Sequence, residues 1–258
     1  MDFDVILSLV LFFISLFTLF LYDKYAVKVK SLFGENKFRT RDAVLIVLLM
    51  GIMVTVIAFI PQLAIMALFL FVYALLLFLF TYIISPKWYL AILPPTLFII
   101  FYFFYWNIYL SDIFAILFVV STSLFLGRLF TWKSTVAFVT LLIIMDIIQV
   151  FITQNMVVSA EKMIALQLPT MIIVPTFPVK GYIILGLGDI LLTSLLSIQT
   201  FRKYGKRFGI ISCGSISLVF FLAQTVLLNY ALGFFPATVM VAGGWIIVLV
   251  IRYLSEKL

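Results

Sequence analysis

Two carboxylates stand inside apolar runs: Asp146 in LLIIMDIIQV and Asp189 at the end of GYIILGLGD. A charged side chain within a bilayer is costly, and by default it marks a functional site. Two carboxylates in one low-dielectric site cannot both ionise easily, so they share a proton. That arrangement suits peptide hydrolysis. The ionised member takes a proton from water as it attacks the scissile carbonyl, and the protonated member hydrogen-bonds to the carbonyl oxygen and protonates it. The chemistry calls for no cofactor and no metal. Which aspartate takes which role is left open by the sequence.

Other chemistries are hard to build from this chain. It has no histidine, which removes HExxH zinc sites and Ser–His or Cys–His pairs. Its three glutamates, Glu35, Glu161 and Glu256, fall in loops or at the C-terminus. The single cysteine, Cys213, excludes an internal disulfide and reads as a small packing residue.

The elements that must position the two acids follow from composition. Of 258 residues, 66% are hydrophobic and 10% charged, which implies an all-α polytopic membrane protein forming one domain over 1–258. Nine segments are long enough to span a bilayer, at about 4–22, 43–60, 62–84, 88–106, 110–127, 134–152, 181–200, 208–230 and 235–253. Helices 1–6 thus occupy about 4–152, an outer connection 153–180, and helices 7–9 about 181–253. The N-terminus, with Asp2 and Asp4, does not read as a cleaved signal. Net charge is +7, but this is no nucleic-acid signature, because the basic residues lie in short loops. The loop after the first segment holds Lys24, Lys28, Lys30, Lys37, Arg39 and Arg41, and 15 of the 17 basic residues fall on alternate connections. Only Lys162 and Lys180 lie on the other side, Lys180 being expected to snorkel to the interface. The N-terminus is therefore expected outside and the C-terminus in the cytoplasm, with the chain multi-pass in the cell membrane.

Within the outer connection, Val157–Leu168 reads as a short amphipathic interfacial helix, and Leu168–Pro178 as extended, with Met171–Val174 β-favouring. Segments six and seven run antiparallel and place Asp146 and Asp189 about 9 and 12 Å from their outer ends. Helical spacing puts Asp146, Gln149 and Thr153 on one stripe, and Tyr182, Gly186, Asp189 and Thr193 on another. Gly186 and Gly188 clear space beside the second acid. Asp112 reads as a boundary residue meeting water, and Gly243–Gly244 as a packing surface or hinge.

Gly186-Leu187-Gly188-Asp189 resembles the GxGD motif of the presenilin and signal peptide peptidase family of intramembrane aspartyl proteases. Asp146 falls on the sixth segment and Asp189 on the seventh, where that family carries its two catalytic aspartates. Pro236-Ala237-Thr238 is similar to its Pro-Ala-Leu motif at the ninth helix, with Thr238 in place of leucine. Met145 stands where the family usually has tyrosine. The resemblance implies a nine-helix presenilin-like fold, Asp146 and Asp189 as catalytic residues, and Gly186, Leu187, Gly188, Pro236, Ala237, Thr238 and Gln149 as substrate-binding or supporting residues. It implies transmembrane peptides as substrates, held in part as a strand added near Leu168–Pro178. The outside N-terminus places the chain with the signal peptide peptidases, whose substrates have the type II orientation. The small size and lack of soluble insertions point to a microbial homologue, an archaeal one among the candidates. The competing reading of the same acid pair is a proton- or cation-coupled transporter; a prepilin-peptidase relative and a structural scaffold are further alternatives.

Overall fold

The computed structural model describes residues 3–34, 36–57, 59–85, 87–153, 155–178, 181–230 and 235–255. Ten α-helices form most of it: α1 (Ile6–Phe33), α2 (Thr40–Ile57), α3 (Gln62–Ile84), α4 (Trp88–Phe104), α5 (Ile108–Leu129), α6 (Trp132–Ile148), α7 (Asn155–Ala165), α8 (Leu187–Tyr204), α9 (Lys206–Tyr230) and α10 (Ala237–Ser255). A π-helical turn, Gln149–Thr153, joins α6 to α7, and two strands, β1 (Met171–Pro175) and β2 (Tyr182–Gly186), precede α8. Among the described residues, seven helices are long and apolar enough to cross a membrane. The chain is a helical, multi-pass membrane protein.

Helices occupy all nine expected segments, but two differ from the other seven. The fourth, α4, is apolar yet only 17 residues long. The seventh, α8, carries Thr193, Ser194, Ser197, Gln199, Thr200 and Arg202 within 18 residues. It tolerates them because it is the central helix, packed by α1, α5, α6, α9 and α10, so protein rather than lipid surrounds it. Gln199 Nε2 donates to the carbonyls of Gly127 (2.9 Å) and Phe130 (3.1 Å), and Arg202 Nη1 to the same two (2.6 and 2.8 Å). Those bonds satisfy the C-terminal end of α5, which has no intrahelical partners left. Trp245 of α10 donates to Thr200 Oγ1 at 2.8 Å. Gly244 is a packing surface: a Cβ there would lie 2.5 Å from the Cα of Ile216, so α9 and α10 touch backbone to backbone.

Several boundaries depart from the sequence reading. The first helix does not end near residue 22. It runs to Phe33, so Lys24, Lys28 and Lys30 stand on helix and only Lys37 and Arg39 remain in the connection. Lysine is a good helix former and its long stem can reach the interface, so neither charge nor lipid stops the helix there. The seventh helix does not begin at 181. Tyr182–Gly186 is a strand, and the helix starts at Leu187. The Tyr-Ile-Ile-Leu run pairs antiparallel with Met171–Pro175, from Met171↔Gly186 to Pro175↔Tyr182, and that ladder competes successfully with helix. The hairpin is the one sheet among the described residues, beside two isolated bridges, Asp4↔Pro178 and Phe38↔Phe130. Lys180, Glu35, Glu256 and Lys257 lie outside the described residues.

The outer connection is tied down residue by residue. The short helix expected at Val157–Leu168 is α7, beginning and ending slightly earlier. Its Ser159 Oγ donates to Val54 O (2.8 Å) and its Lys162 Nζ to Ile57 O (3.2 Å) and Ile60 O (3.4 Å), so it caps the end of α2. Tyr102 donates to Leu166 O (2.9 Å), Trp106 to Gln167 O (2.8 Å), and the Tyr73 hydroxyl to Pro169 O. Three aromatics, buried Tyr73 in the middle of α3 and Tyr102 and Trp106 at and just past the end of α4, thereby fix the chain just before β1.

Candidate functional site

Asp146 sits in the last turn of α6, just before the π turn. A π segment is an irregularity that often accompanies a site. The carboxylate is 7% exposed and accepts a hydrogen bond from Thr238 Oγ1 at 2.7 Å. Thr238 is the second residue of α10, immediately after buried Pro236 and half-buried Ala237. Proline suits this place because a helix start requires no N–H from it. The sixth helix and the Pro-Ala-Thr stretch are thus joined at a side chain.

Asp189 is the third residue of α8 and is half-buried. The two carboxylates lie near enough to interact electrostatically. Each stands at a helix N-terminus, Asp189 in the first turn of α8 and Asp146 against the first turn of α10. The helix dipole complements negative charge at such ends. Gly186 is tight: a Cβ would lie 3.3 Å from Asp189 Oδ2. Gly188 is exposed, and a Cβ there would meet nothing within 4 Å, so the chain is open beside the acid. Leu187, 6% exposed, packs into the main core and anchors the helix start.

The expected stripe Tyr182–Gly186–Asp189–Thr193 is corrected, because its first two members belong to β2 and not to a helix. Asp189 and Thr193 keep helical spacing, and Thr193 Oγ1 donates to the Asp189 carbonyl at 2.8 Å. Gln149 is not turned to the acids: its Nε2 faces Gly51 O of α2 at 3.4 Å. Met145 meets the same glycine, since a Cβ on Gly51 would lie 2.9 Å from its Sδ. Met145 and Gln149 therefore belong to the α2–α6 contact, which holds Asp146 from behind.

The hairpin delivers Asp189. Leu187 N–H donates to Thr170 O (3.2 Å) and Thr176 N–H to Gly181 O (3.0 Å), so hydrogen-bonded pairs alternate through Ile172–Leu185 and Val174–Ile183. The intervening residues turn their N–H and C=O groups outward. On β1, the outward N–H of Ile173 is taken by Asp112 Oδ1 at 3.0 Å. On β2, Tyr182 and Ile184 present both groups, and Gly186 its N–H, on a free edge without a partner among the described residues, while the Gly186 carbonyl opens α8 as its N-cap. That edge runs straight into Gly186–Asp189.

Two acids to which the sequence reading gave no part in this region hold the hairpin. Asp112 is half-buried, so it keeps part of its surface exposed near the start of α5, and its Oδ1 is bonded to β1. Asp4 is 2% exposed; it accepts from Leu7 N (3.1 Å) as a helix cap and from Phe177 N (2.9 Å) across the chain. An aspartate just before an apolar run signals such a cap, whereas its second partner has no local signature. Gln224 carries no local signal either: it is 7% exposed, and neither amide atom has a partner among the described residues.

Comparison with protein-family models gives no match, and comparison with curated proteins gives none. No group of three or more Cys, Asp or Glu side chains suited to a metal ion occurs among the described residues.

Proposed function

We propose that this chain is an intramembrane aspartyl endopeptidase that hydrolyses peptide bonds in transmembrane helices, using Asp146 and Asp189 to activate water. The observation that carries the reading is the route from the free edge of β2 to Asp189. A helix entering the site must unwind before water can reach a backbone carbonyl, and an unpaired strand edge gives the released N–H and C=O groups new partners. Pairing with Tyr182, Ile184 and Gly186 leads the substrate backbone toward the acids. The resemblance of Gly186–Asp189 and of Pro236-Ala237-Thr238 to presenilin and signal peptide peptidase motifs points the same way. So does the nine-helix topology we propose, with α4 and α8 also crossing, the N-terminus outside and type II substrates.

In this reading Oδ2 of Asp146 accepts the Thr238 hydrogen, so the proton shared by the pair resides on Asp146 Oδ1 or on Asp189. The ionised oxygen draws a proton from water, and the protonated one donates to the substrate carbonyl. A transporter coupled to protons or cations would use the same pair. The free strand edge favours a peptide as the occupant over a small ion.

The test is incubation of the purified protein with a type II membrane helix and mass spectrometry of the products. Wild type is expected to cleave. Asp146→Ala and Asp189→Ala are each expected to abolish cleavage while the thermal transition persists. Full activity in either variant overturns the assignment, and ion-dependent uptake without cleavage replaces it with the transporter.

A further inference from the structure

Where α1, α2, α5 and α6 end, the surface carries an open cavity of about 510 Å³, lined by exposed Asn36, Lys37, Arg39, Thr40 and Lys133 and by half-buried Thr131, with Phe38 beside them. Its basic residues come from two chain segments far apart in sequence, and the joint between them is built. Phe38 N–H donates to Leu129 O (2.8 Å), the Phe38 and Phe130 rings meet edge to face at 5.2 Å, and Thr131 Oγ1 reaches Phe38 O at 3.5 Å. Among the described residues, three cations and no carboxylate line the space. Asp42, three positions after Arg39, is committed to the Arg39 backbone N–H at 2.8 Å. Glu35 lies outside the described residues.

Clustered like charges repel one another unless something neutralises them. Thr131 and Ser134 already cap α6 reciprocally, so the helix starts do not use these basic side chains. The occupant that complements them is an anion with several acceptor oxygens. It must also suit one guanidinium, two ammonium groups, an amide and two hydroxyls, which together offer donors from several directions. The cavity opens at the ends of membrane-crossing helices, which is headgroup depth, and basic pockets between such helices bind anionic headgroups.

We propose that this cavity is a phosphate-binding site, filled by the phosphodiester of an anionic lipid headgroup or by free phosphate. It is separate from the acid pair, which lies toward the other end of α6, where Asp146 stands 13 residues along that helix from Lys133. Occupancy ties the α1–α2 connection to the start of α6.

The test uses the full chain in nanodiscs of mixed phosphatidylglycerol and phosphatidylcholine, then native mass spectrometry of the released protein. Wild type is expected to retain phosphatidylglycerol over phosphatidylcholine. The triple variant Lys37→Gln, Arg39→Gln, Lys133→Gln is expected to lose that retention by roughly tenfold or more, as for several charge-assisted contacts removed together. A second triple variant, Lys24→Gln, Lys28→Gln, Arg207→Gln, removes the same charge from exposed positions away from the cavity and is expected to retain the lipid. Inorganic phosphate identifies the source. If it fails to displace the lipid, the headgroup is the ligand. If it raises the melting temperature of wild type, but not of the first triple variant, without any lipid preference, free phosphate is the ligand. Equal losses in both triple variants, or neither lipid preference nor phosphate stabilisation in wild type, overturn the proposal.

Discussion

Thr238 donates its hydroxyl hydrogen to Asp146 Oδ2 across 2.7 Å, joining the start of α10 to the end of α6 at a carboxylate that is 7% exposed. A leucine at this position offers no such bond. A hydrogen bond to a charged group contributes about 1.5–3 kcal/mol, and stripping a buried carboxylate of its donor costs more than removing a bond between neutral groups. Thr238→Val, which keeps the shape and removes the donor, is expected to lower kcat roughly tenfold or more with KM little changed. Thr238→Ser is expected to restore most of it. Peptide cleavage kinetics for both variants check this, and equal rates for Val and Ser would show that the hydroxyl is not used.

Gly186 and Gly188 flank the second acid unequally. Alanine at 186 places a Cβ 3.3 Å from Asp189 Oδ2, so the carboxylate must yield by a few tenths of an ångström. Small displacements of a reacting group are expensive, since about 1 Å can cost about 100-fold in rate. Gly186→Ala is expected to reduce kcat strongly. At 188 a Cβ meets nothing within 4 Å, and the site is helical, so alanine there is expected to leave the melting temperature unchanged or higher. Its effect is expected in KM, because that open surface lies beside the acid. Melting curves together with steady-state kinetics separate the two outcomes.

Asp112 and Ile173 form the bond that closes the outer side of β1, at 3.0 Å. Asp112→Asn keeps an acceptor and is expected to behave nearly as wild type. Asp112→Leu leaves the Ile173 N–H bare and costs about 1–3 kcal/mol locally. Faster hydrogen exchange across 171–186 and slower substrate cleavage are the expected results. Unchanged exchange in the leucine variant contradicts a role for Asp112 in holding the strand.

The acids themselves were legible, because a carboxylate in an apolar run stands out against any background. Met171–Val174 was legible as extended from its β-branched residues and flanking prolines, and the strand is there. Tyr182–Gly186 was not. A short apolar run between glycines fits a membrane helix and a buried strand equally, and only its partner at 171–175 decides between them. The same is true of Thr238. As a residue type it is ordinary at a helix start, and its meaning comes from Asp146, 92 positions away. The polarity of α8 shows the converse limit. Hydropathy reports what a helix facing lipid needs, and α8 faces protein.

Gln224 continues the inward stripe of α9 through Cys213, Ser217 and Phe220, yet both its amide atoms are buried and without a partner among the described residues. The close approach of Gly244 to Ile216 sets the register of α9 against antiparallel α10. Stepping two turns along that register brings Gln224 level with Pro236–Thr238. An unsatisfied buried amide costs about 1–3 kcal/mol, so its removal in favour of an apolar side chain of similar length is expected to be neutral or stabilising. Gln224→Met is therefore expected to raise stability by about 1 kcal/mol in thermal unfolding. If cleavage falls while stability rises, the amide serves the site beside α10 during turnover. If both stay at wild-type levels, Gln224 is packing alone. A clear loss of stability would mean that the amide has a partner in the resting protein, and that the register drawn from Gly244 does not carry up to Pro236.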